Sequence, residues 1–326
     1  MMRCLALFSG SLDSMLAVRL MQEQNIDVVA VTFQTWFTCS SDTAQEAAAQ
    51  LDVALHTVGA DVDFEELLRR PQFGFGRAAN PCIDCRVYML RKALNLREPL
   101  GAEFIVTGEV AGQRAFGQKR IDLETIAAQI NHRAADVDRV LRPLSARLLP
   151  PTLPERAGWV DRQRLYDFSG QSRRPLIHLA NQIGINAPTS PQSSCRLTDT
   201  SYGTRLFELL RSEPAPTTWD YELLAVGRHL RLRNNDRAIV GKNANDNEQL
   251  RAALQTAPHD VTLVEAVSHR GPTLLHIGKS NAMELRPELA ALLRQYAKWG
   301  GDTVTLRATH GDGTVAEWFA SNAPAQ

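Results

Sequence analysis

Residues 4–21, CLALFSGSLDSMLAVRLM, decide the fold of the first part of the chain. The run from Cys4 to Phe8 is apolar and short, and a serine and a glycine follow it at once. This pattern is typical of a buried strand that ends in a turn. From Met15 onward the apolar residues recur at helical spacing. The stretch therefore predicts a strand, a tight loop and the first turn of a helix.

The loop between this strand and helix, residues 9–14, carries the residue types of an anion site. Backbone N–H groups at the start of a helix point toward an anion, and the helix dipole favours negative charge there. Gly10 allows close approach, while Ser9, Ser11 and Ser14 add hydroxyl donors. Asp13 could hold a magnesium ion or orient a pyrophosphate leaving group. The loop is a candidate phosphate site, with an ordinary serine-rich turn as the alternative.

The same hexapeptide, SGSLDS, resembles the SGGxDS loop of the PP-loop ATP pyrophosphatases, which activate a substrate oxygen by adenylating it. Ser11 stands where that family has its second glycine. The loop differs from the GxxxxGK[ST] phosphate loop, because it has no lysine and lacks that spacing. The resemblance implies that residues 9–14 bind the phosphates of ATP, with Mg²⁺ to neutralise them.

Length and composition are those of a globular protein with two or three domains. The 326 residues are 44% hydrophobic and 22% charged, and 36 basic residues balance 36 acidic ones. A nucleic-acid partner would therefore need a local basic patch. No stretch reaches about 18 consecutive apolar residues, and the N-terminus lacks a signal-peptide cleavage site. We expect a cytoplasmic protein without a membrane span.

Strand and helix patterns alternate in the first half of the chain. They follow one another as strand 26–33, helix 43–51, strand 54–58, helix 86–95 and strand 104–107. Such alternation predicts βαβ units and a parallel sheet that is covered on both faces. Ligands gather at the carboxyl ends of such strands. Phe33 and Gly108 fall there, and we expect them to lie near the adenine of a bound nucleotide.

The second half of the chain predicts a different architecture. A mostly helical segment leads to a linker at 212–217, and a small α+β pattern follows it. Strands are expected at 223–226, 238–240, 262–264, 273–277 and 303–308, and helices at 247–254 and 283–298. The expected fold class is α/β, with three parts: a parallel-sheet PP-loop domain of the adenine nucleotide alpha hydrolase type (1–149), a helical extension (150–212) and a smaller C-terminal α+β domain (213–326).

Three of the five cysteines form a candidate reactive centre. Cys82 and Cys85 make a CxxC pair at the start of a helix predicted near Arg86, and Cys195 lies in a turn-rich loop. An odd cysteine count in a long chain favours metal ligands or catalytic thiols over a secreted disulfide framework. The pair alone is compatible with a redox dithiol, half a zinc site or two ligands of an iron–sulfur cluster. No second CxxC is present, which weakens the structural-zinc interpretation.

The sequence around these cysteines resembles the PP-loop tRNA thiolases. Their 2-thiouridine synthase branch has an NPDxxC motif and a remote catalytic cysteine, whereas this chain reads NPCIDC at 80–85, so that Cys82 replaces the aspartate. In this respect the chain resembles the iron–sulfur-dependent branch of these thiolases, which uses a CxxC pair and one remote cysteine. This resemblance implies a [4Fe–4S] cluster held by Cys82, Cys85 and Cys195, with one iron open to sulfide. The segment 107–109, TGE, also resembles the strand end that lies near the nucleotide in these enzymes.

A basic cluster near the C-terminal domain's first strands is a candidate RNA site. The stretch 226–247, which carries GRHLRLR and IVGKNANDN, resembles the RNA-binding NFACT-R domain. Candidate contacts to RNA are Arg228, Arg231, Arg233 and Lys242. Aromatic residues are few here, so we expect contacts to backbone and shape rather than to base edges. The alternative is a basic hairpin without a ligand.

Together these features predict an ATP-dependent tRNA sulfurtransferase in which Asp13 and the three cysteines are catalytic. Its partners would be tRNA and a sulfur donor, either sulfide or a persulfide carrier, and a homodimer is left open. Three alternatives remain: a cluster-free persulfide thiolase, a PP-loop ligase or amidase acting on a small molecule, and an RNA-binding adaptor with a degenerate loop. The modified base and the oligomeric state are not determined by the sequence.

Overall fold

The computed structural model describes residues 2–37, 42–131, 136–186, 195–232, 235–258, 260–267, 269–297, 299 and 303–321. The chain divides into two compact units, Met1–Thr204 and Arg205–Gln326. Each unit has its own sheet, parallel in the first and antiparallel in the second, so the expected fold class is confirmed. The division into three parts stays a prediction.

The first unit is built on a parallel sheet. Within the described residues its strands are β1 (Arg3–Leu7), β2 (Asp27–Gln34), β3 (Ala54–Gly59), β4 (Phe104–Thr107) and β5 (Val140–Leu141). They lie in the order β3-β2-β1-β4-β5, and all four pairings are parallel. The chain winds outward from β1 to β3 and then returns to the other side of β1. A crevice for ligands forms at such a reversal, at the carboxyl ends of the strands.

Helices cover this sheet and extend the unit. They are α1 (Leu12–Gln22), α2 (Asp42–Gln50), α3 (Val62–Arg69), α4 (Cys82–Arg97), α5 (Arg120–Ile130), α6 (Leu153–Arg156) and α7 (Arg174–Gln182). A further helix, α8 (Thr200–Ser212), begins in the first unit and ends in the second. α1 is buried between the sheet and α7, since Leu16 and Val18 share one core with Leu176 and Leu179. This packing ties the extension, predicted as mostly helical, to the strand–loop–helix stretch that opens the chain.

The second unit carries an antiparallel sheet with helices on both faces. Within the described part of the chain its strands are β6 (Arg228–Arg231), β7 (Arg237–Val240), β8 (Val261–Ala266), β9 (Leu274–Ile277), β10 (Thr303–His310) and β11 (Val315–Ser321), in the order β11-β10-β8-β9-β7-β6. Its helices are α9 (Thr218–Leu223), α10 (Ala244–Gln255) and α11 (Arg286–Tyr296). α11 packs on one face through Leu289 and Leu293, and α10 packs on the other through Leu250 and Leu254.

Two sequence predictions are corrected by these elements. The strand expected at 223–226 is wrong, because Leu223 ends α9. Thr217 and Asp220 form a capping box that starts this helix, a signal that outweighs a short apolar run. α4 begins at Cys82 rather than near Arg86, so both cysteines of the CxxC pair lie in its first turn.

No helix in the described residues is long and apolar enough to cross a membrane.

Candidate functional site

A cleft of about 680 Å³ opens at the carboxyl ends of β1, β2 and β4 within the first unit. Every candidate residue that the sequence proposes for ATP or sulfur chemistry contributes to its lining: Ser9, Gly10, Ser11, Asp13, Ser14, Phe33, Gly108, Cys82, Cys85 and Cys195. The candidate phosphate loop, residues 9–14, and the three cysteines therefore line one cavity, although about 185 positions of sequence separate Ser9 from Cys195.

The loop 9–14 has the strand–turn–helix geometry that its sequence predicts. Gly10 has a φ of +72°, and a Cβ there would lie 2.5 Å from the Thr43 carbonyl oxygen, so glycine is required at this point. Ser11 is the N-cap of α1, with φ −71° and ψ 156°, a conformation open to any residue. The serine that replaces the family's second glycine therefore causes no backbone strain. The Ser14 hydroxyl donates to the Ser11 carbonyl oxygen at 2.8 Å.

Gly108 fixes the other wall of the phosphate loop. It follows β4, and a Cβ there would lie 2.5 Å from the Asp13 carbonyl oxygen and 2.6 Å from the Ser14 nitrogen. The backbone after β4 therefore packs directly on the first turn of α1, which only glycine permits. Phe33, at the end of β2, is buried and its ring meets the edge of Tyr88 with 6.3 Å between ring centroids. It gives the cleft an apolar wall of the kind that an adenine would contact.

Backbone hydrogen bonds of the two residues after Cys195 hold this segment near the CxxC pair. Arg196 N donates to the Phe37 carbonyl at 3.1 Å, which joins this segment to the end of β2. Ala79 N donates to the Leu197 carbonyl at 3.1 Å, which joins it to the loop before α4. Two separate features of the sequence, the CxxC spacing and the remote cysteine, thus meet at one place in the structure.

The thiols of the pair lie in different surroundings. Burial, reinforced by the nearby Cys195, raises the pKa of the Cys85 thiol to about 12. Burial also raises the pKa of Cys82, but the charges of Arg86 and Arg114 oppose it. The Cys82 sulfur accepts a hydrogen bond from the Asn80 side-chain amide at 3.1 Å. Cys85 is therefore a neutral thiol at neutral pH unless a metal displaces its proton.

A buried ion-pair network, which the sequence analysis did not predict, lies beside the cysteines. Glu109 is only 2% exposed; its carboxylate is 2.9 Å from Arg142 Nε and 3.3 Å from Arg86 Nε. Burial alone would raise the pKa of Glu109, but the charges of Arg142 and Arg86 and the hydrogen bonds from Arg142 and Thr107 hold it below its usual value of 4.5. The carboxylate is thus ionised and orients Arg86 toward the sulfur end of the cleft. In the sequence, only the TGE stretch at 107–109 pointed to Glu109.

The three thiols are donors of the type that a [4Fe–4S] cluster takes. Among the described residues no three His, Cys, Asp or Glu side chains are placed to hold one ion together. A [4Fe–4S] cluster does not require such convergence, because each thiolate binds a different iron. Cys82, Cys85 and Cys195 line one cavity, with the Asn80 amide and the Arg86 guanidinium on hand to offset thiolate charge. The chemistry of these donors is compatible with the cluster that the sequence predicts.

The candidate RNA contacts lie on β6 and on the turn after β7. The Arg228 guanidinium stacks 4.7 Å from the centroid of the Tyr296 ring. Arg231 is exposed and donates to the Asn235 carbonyl at 2.9 Å. Lys242 is 40% exposed at its side chain and lies 4.0 Å from Asp246. Arg233 lies outside the described residues.

Two other polar side chains of this basic stretch have structural partners. Arg237 pairs with the fully buried carboxylate of Asp220, so its charge is neutralised within the unit. His229 Nε2 donates to the Leu223 and Val226 carbonyls, and burial lowers the pKa of this imidazole to about 4. Neither side chain is available to a phosphate. The neutral histidine has a structural role, because its ring N–H satisfies two backbone carbonyls.

Comparison with known families agrees with both halves of this description. Residues 2–133 match the family model described as the tRNA methyl transferase HUP domain, and residues 227–323 match the NFACT protein RNA binding domain. One part of the chain is thus similar to the HUP domain and a later part to the RNA-binding domain. The resemblance to both families is therefore confirmed, each for its own part of the chain.

Relatives of the HUP domain are named as tRNA-thiolating enzymes. A tRNA-specific 2-thiouridylase of Trichlorobacter lovleyi is 30% identical over 139 residues, which are 40% of this chain and 39% of that protein. The bifunctional protein NifU/MnmA of Rubrobacter xylanophilus is 25% identical over 240 residues, which are 69% of this chain and 45% of that protein. This chain thus spans less than half the length of these curated relatives.

The solved structures to which this chain is matched include a 4-thiouridine synthetase in complex with RNA and ATP. It is 20% identical, with a TM-score of 0.39, and the match covers 68% of this chain and 52% of that one. A predicted subunit of tRNA methyltransferase from Methanocaldococcus jannaschii is 14% identical, with a TM-score of 0.37, over 56% of this chain and 76% of that one.

Proposed function

We propose that this protein is an ATP-dependent tRNA sulfurtransferase. It adenylates a carbonyl oxygen of a nucleobase and replaces that oxygen with sulfur. The observation that carries the proposal is the shared cleft, in which a phosphate loop and three cysteines face the same cavity. A nucleotide and a sulfur donor held in one cavity can react in sequence on one bound base.

The nucleotide end of the cleft supplies positioning and charge. The phosphates of ATP would lie on residues 9–14, at the N-terminus of α1, with adenine against Phe33 and beside Gly108. Asp13 is the carboxylate available to a magnesium ion there. The base carbonyl attacks the α-phosphorus and pyrophosphate leaves, a step that the enzyme promotes by fixing the reactants and stabilising negative charge.

The sulfur end of the cleft would hold the second reaction. Cys82, Cys85 and Cys195 are the residues that would bind a [4Fe–4S] cluster, and when bound it supplies an iron without a protein ligand for sulfide. Sulfur at the sulfide level displaces AMP from the activated base, so the exchange needs no oxidant or reductant. AMP leaves with the original base oxygen. Arg86 pairs with Glu109. Its positive charge would lie near the place where anionic sulfide attacks and anionic AMP leaves.

RNA would be recruited by the second unit. Its match to an RNA-binding domain and the names of the relatives support tRNA as the substrate. Arg228, Arg231, Arg233 and Lys242 are the candidate contacts to phosphates, which give affinity without base sequence. The sulfur donor is either sulfide or a persulfide carrier, and a carrier would need two electrons from a thiol reductant to release its outer sulfur as sulfide.

The phosphate loop is tested by Asp13→Ala and Ser14→Ala. Both variants should stay folded and lose tRNA-dependent release of pyrophosphate, while nucleoside mass spectrometry of tRNA from cells with each variant should show no thiolated base. Gly59→Ala is a matched control, because a Cβ at Gly59 meets no atom within 4 Å. Pyrophosphate release at the wild-type rate by either variant would sink the nucleotide assignment.

The cysteine assignment is tested on anaerobically purified protein. It should be brown with about four irons per chain, and Cys82→Ala, Cys85→Ala and Cys195→Ala should each lose iron and thiolation together. Cys4→Ala should lose neither, since Cys4 is fully buried in β1. Colourless protein that still thiolates tRNA would replace the cluster with a persulfide relay, and bound zinc would make the site structural.

A further inference from the structure

Asp13 of the phosphate loop is held by two side chains from distant parts of the chain. Gln113 Nε2 donates to one carboxylate oxygen at 3.1 Å, and Arg173 Nη2 donates to the other at 3.4 Å. The Asp13 side chain is 18% exposed and that of Arg173 26%. The contact is therefore partly screened from water.

The segment that leads to Arg173 is fixed by a fully buried serine. Ser145 Oγ accepts from Ala111 N at 2.9 Å and donates to the Phe168 carbonyl at 2.7 Å. Gly170 N donates to the Ala111 carbonyl at 2.8 Å. These bonds join the segment 168–170 to the loop that follows β4, which is also the loop that carries Gln113.

On its other side Arg173 is the residue directly before α7. This helix packs against α1 through Leu176 and Leu179. Arg173 thus has a fixed backbone on both sides, and its guanidinium reaches the first turn of α1. A solvated surface arginine would need none of these restraints.

The chemistry of the phosphate loop leaves a place for such a cation. Residues 9–14 contain no lysine or arginine, and their one charged side chain, Asp13, is an anion. An unpaired carboxylate would repel a polyphosphate at this point. A guanidinium, in contrast, offers several N–H groups in a planar fork that suits phosphate oxygens.

We infer that Arg173 is the cation of the polyphosphate subsite. It is paired with Asp13 until Mg²⁺ takes the carboxylate, and its guanidinium then turns to a phosphate of ATP. The exchange keeps both charges compensated at every stage, because each ion of the pair finds an opposite charge in Mg–ATP. The inference rests on the proposed use of ATP.

The first test compares the binding of ATP and of adenosine, both with Mg²⁺, by calorimetry. Arg173→Met should raise the dissociation constant for ATP about tenfold to a hundredfold, as expected for the loss of a charged hydrogen bond. Adenosine has no phosphates, so its affinity should not change. Arg147→Met is the matched control; it removes another ion pair of the first unit, Arg147–Asp167 at 3.1 Å, and should bind both ligands like the wild type.

A second test separates contact with phosphate from mere neutralisation of Asp13. In an Asp13→Asn background the carboxylate charge is gone, and Arg173→Met should still weaken ATP binding by a similar factor. If Arg173 only offsets Asp13, the double variant will bind ATP as tightly as Asp13→Asn alone, which overturns the inference. This cycle isolates the interaction of Arg173 with the ligand.

The remaining outcomes are also decisive. Arg173→Lys keeps the charge but not the planar fork, so it should bind ATP with an affinity between those of Arg173→Met and the wild type. If Arg173→Met fails to fold, Arg173→Lys is compared with the Arg147→Met control instead. Equal loss of ATP and adenosine affinity would make Arg173 structural. Wild-type protein that binds ATP no better than Arg173→Met overturns the inference alone. Wild-type protein that binds neither ligand overturns the proposed function with it.

Discussion

The two units of this protein use charge in opposite ways. In the cleft of the first unit Glu109 is 2% exposed and pairs with Arg142, whose side chain is 7% exposed. In the second unit the candidate RNA contacts lie at the surface, as Arg231 and the 40% exposed Lys242 show. The side chains of a buried ion pair are held in one arrangement, and a reaction centre needs such fixed positions. Exposed cations interact weakly with their neighbours in water, which leaves their charge for a phosphate backbone.

The largest effect is expected where a buried charge loses its partner. Glu109→Gln should lower the free energy of unfolding by about 3–5 kcal/mol, because Arg142 remains buried without a counter-ion. The exposed pair Arg120–Glu124 is the control, and Glu124→Gln should cost less than about 1 kcal/mol. Urea denaturation of both variants measures the difference. Equal costs would mean that burial does not distinguish the two regions.

The same carboxylate gives a pH dependence whose direction is fixed. Because the pKa of Glu109 is below 4.5 in the folded protein, its ionised form stabilises the fold at neutral pH. That contribution should fall away as the pH drops below about 4.5 and through the folded pKa. Wild-type protein should therefore lose more stability than Glu109→Gln between about pH 5 and pH 3. Parallel curves for the two proteins would contradict the assignment.

A smaller effect is expected from the close approach of β4 to the phosphate loop. Gly108→Ala puts a Cβ within 2.5 Å of the Asp13 carbonyl oxygen, which must shift. Overpacking of this kind costs about 1–3 kcal/mol, and the displaced first turn of α1 should weaken ATP binding as well. Thermal unfolding and ATP titration check both effects against Gly59→Ala. Unchanged ATP affinity in Gly108→Ala would show that the loop does not depend on this contact.

The smallest effects per residue are expected in the second unit. Replacement of Arg228 and Arg231 by Gln should weaken tRNA binding and flatten its salt dependence. The logarithmic slope should fall by about 0.7–0.9 for each phosphate that the variant no longer neutralises. Folding stability should hardly change. Arg228→Lys should show only part of the effect of Arg228→Gln, since lysine keeps the charge but not the stacked plane over Tyr296.

The control for this RNA experiment is Arg251→Gln, which removes an exposed arginine that pairs with Glu265 on the same unit. Filter binding at two salt concentrations gives affinity and slope together. If Arg251→Gln changes them as much as the Arg228 and Arg231 replacements do, the cations act through net charge alone. The contrast between an ordered cleft and a selective basic surface would then be wrong.

Local sequence was sufficient where neighbouring residues make the structure. The alternation of apolar runs predicted the parallel sheet, and the strand–glycine–helix order predicted the turn between β1 and α1, because both depend on the period of the backbone. The error at 223–226 has the same origin, since a run of four apolar residues fits a strand or a helix end equally well. Only the capping box of α9 decides between them.

What the sequence by itself determined is therefore the fold class, the tight turn between β1 and α1, and the CxxC pair on a helix start. The sequence tied Cys195 to that pair through a resemblance, and the structure places all three in one cavity. What only the tertiary structure decided is the pairing of Glu109 with Arg142 and Arg86, and of Arg173 with Asp13. The physical reason is separation along the chain. A turn or a helix cap is fixed by residues a few positions apart, whereas these contacts join residues between 23 and 160 positions apart and exist only after the sheet has brought its strand ends together.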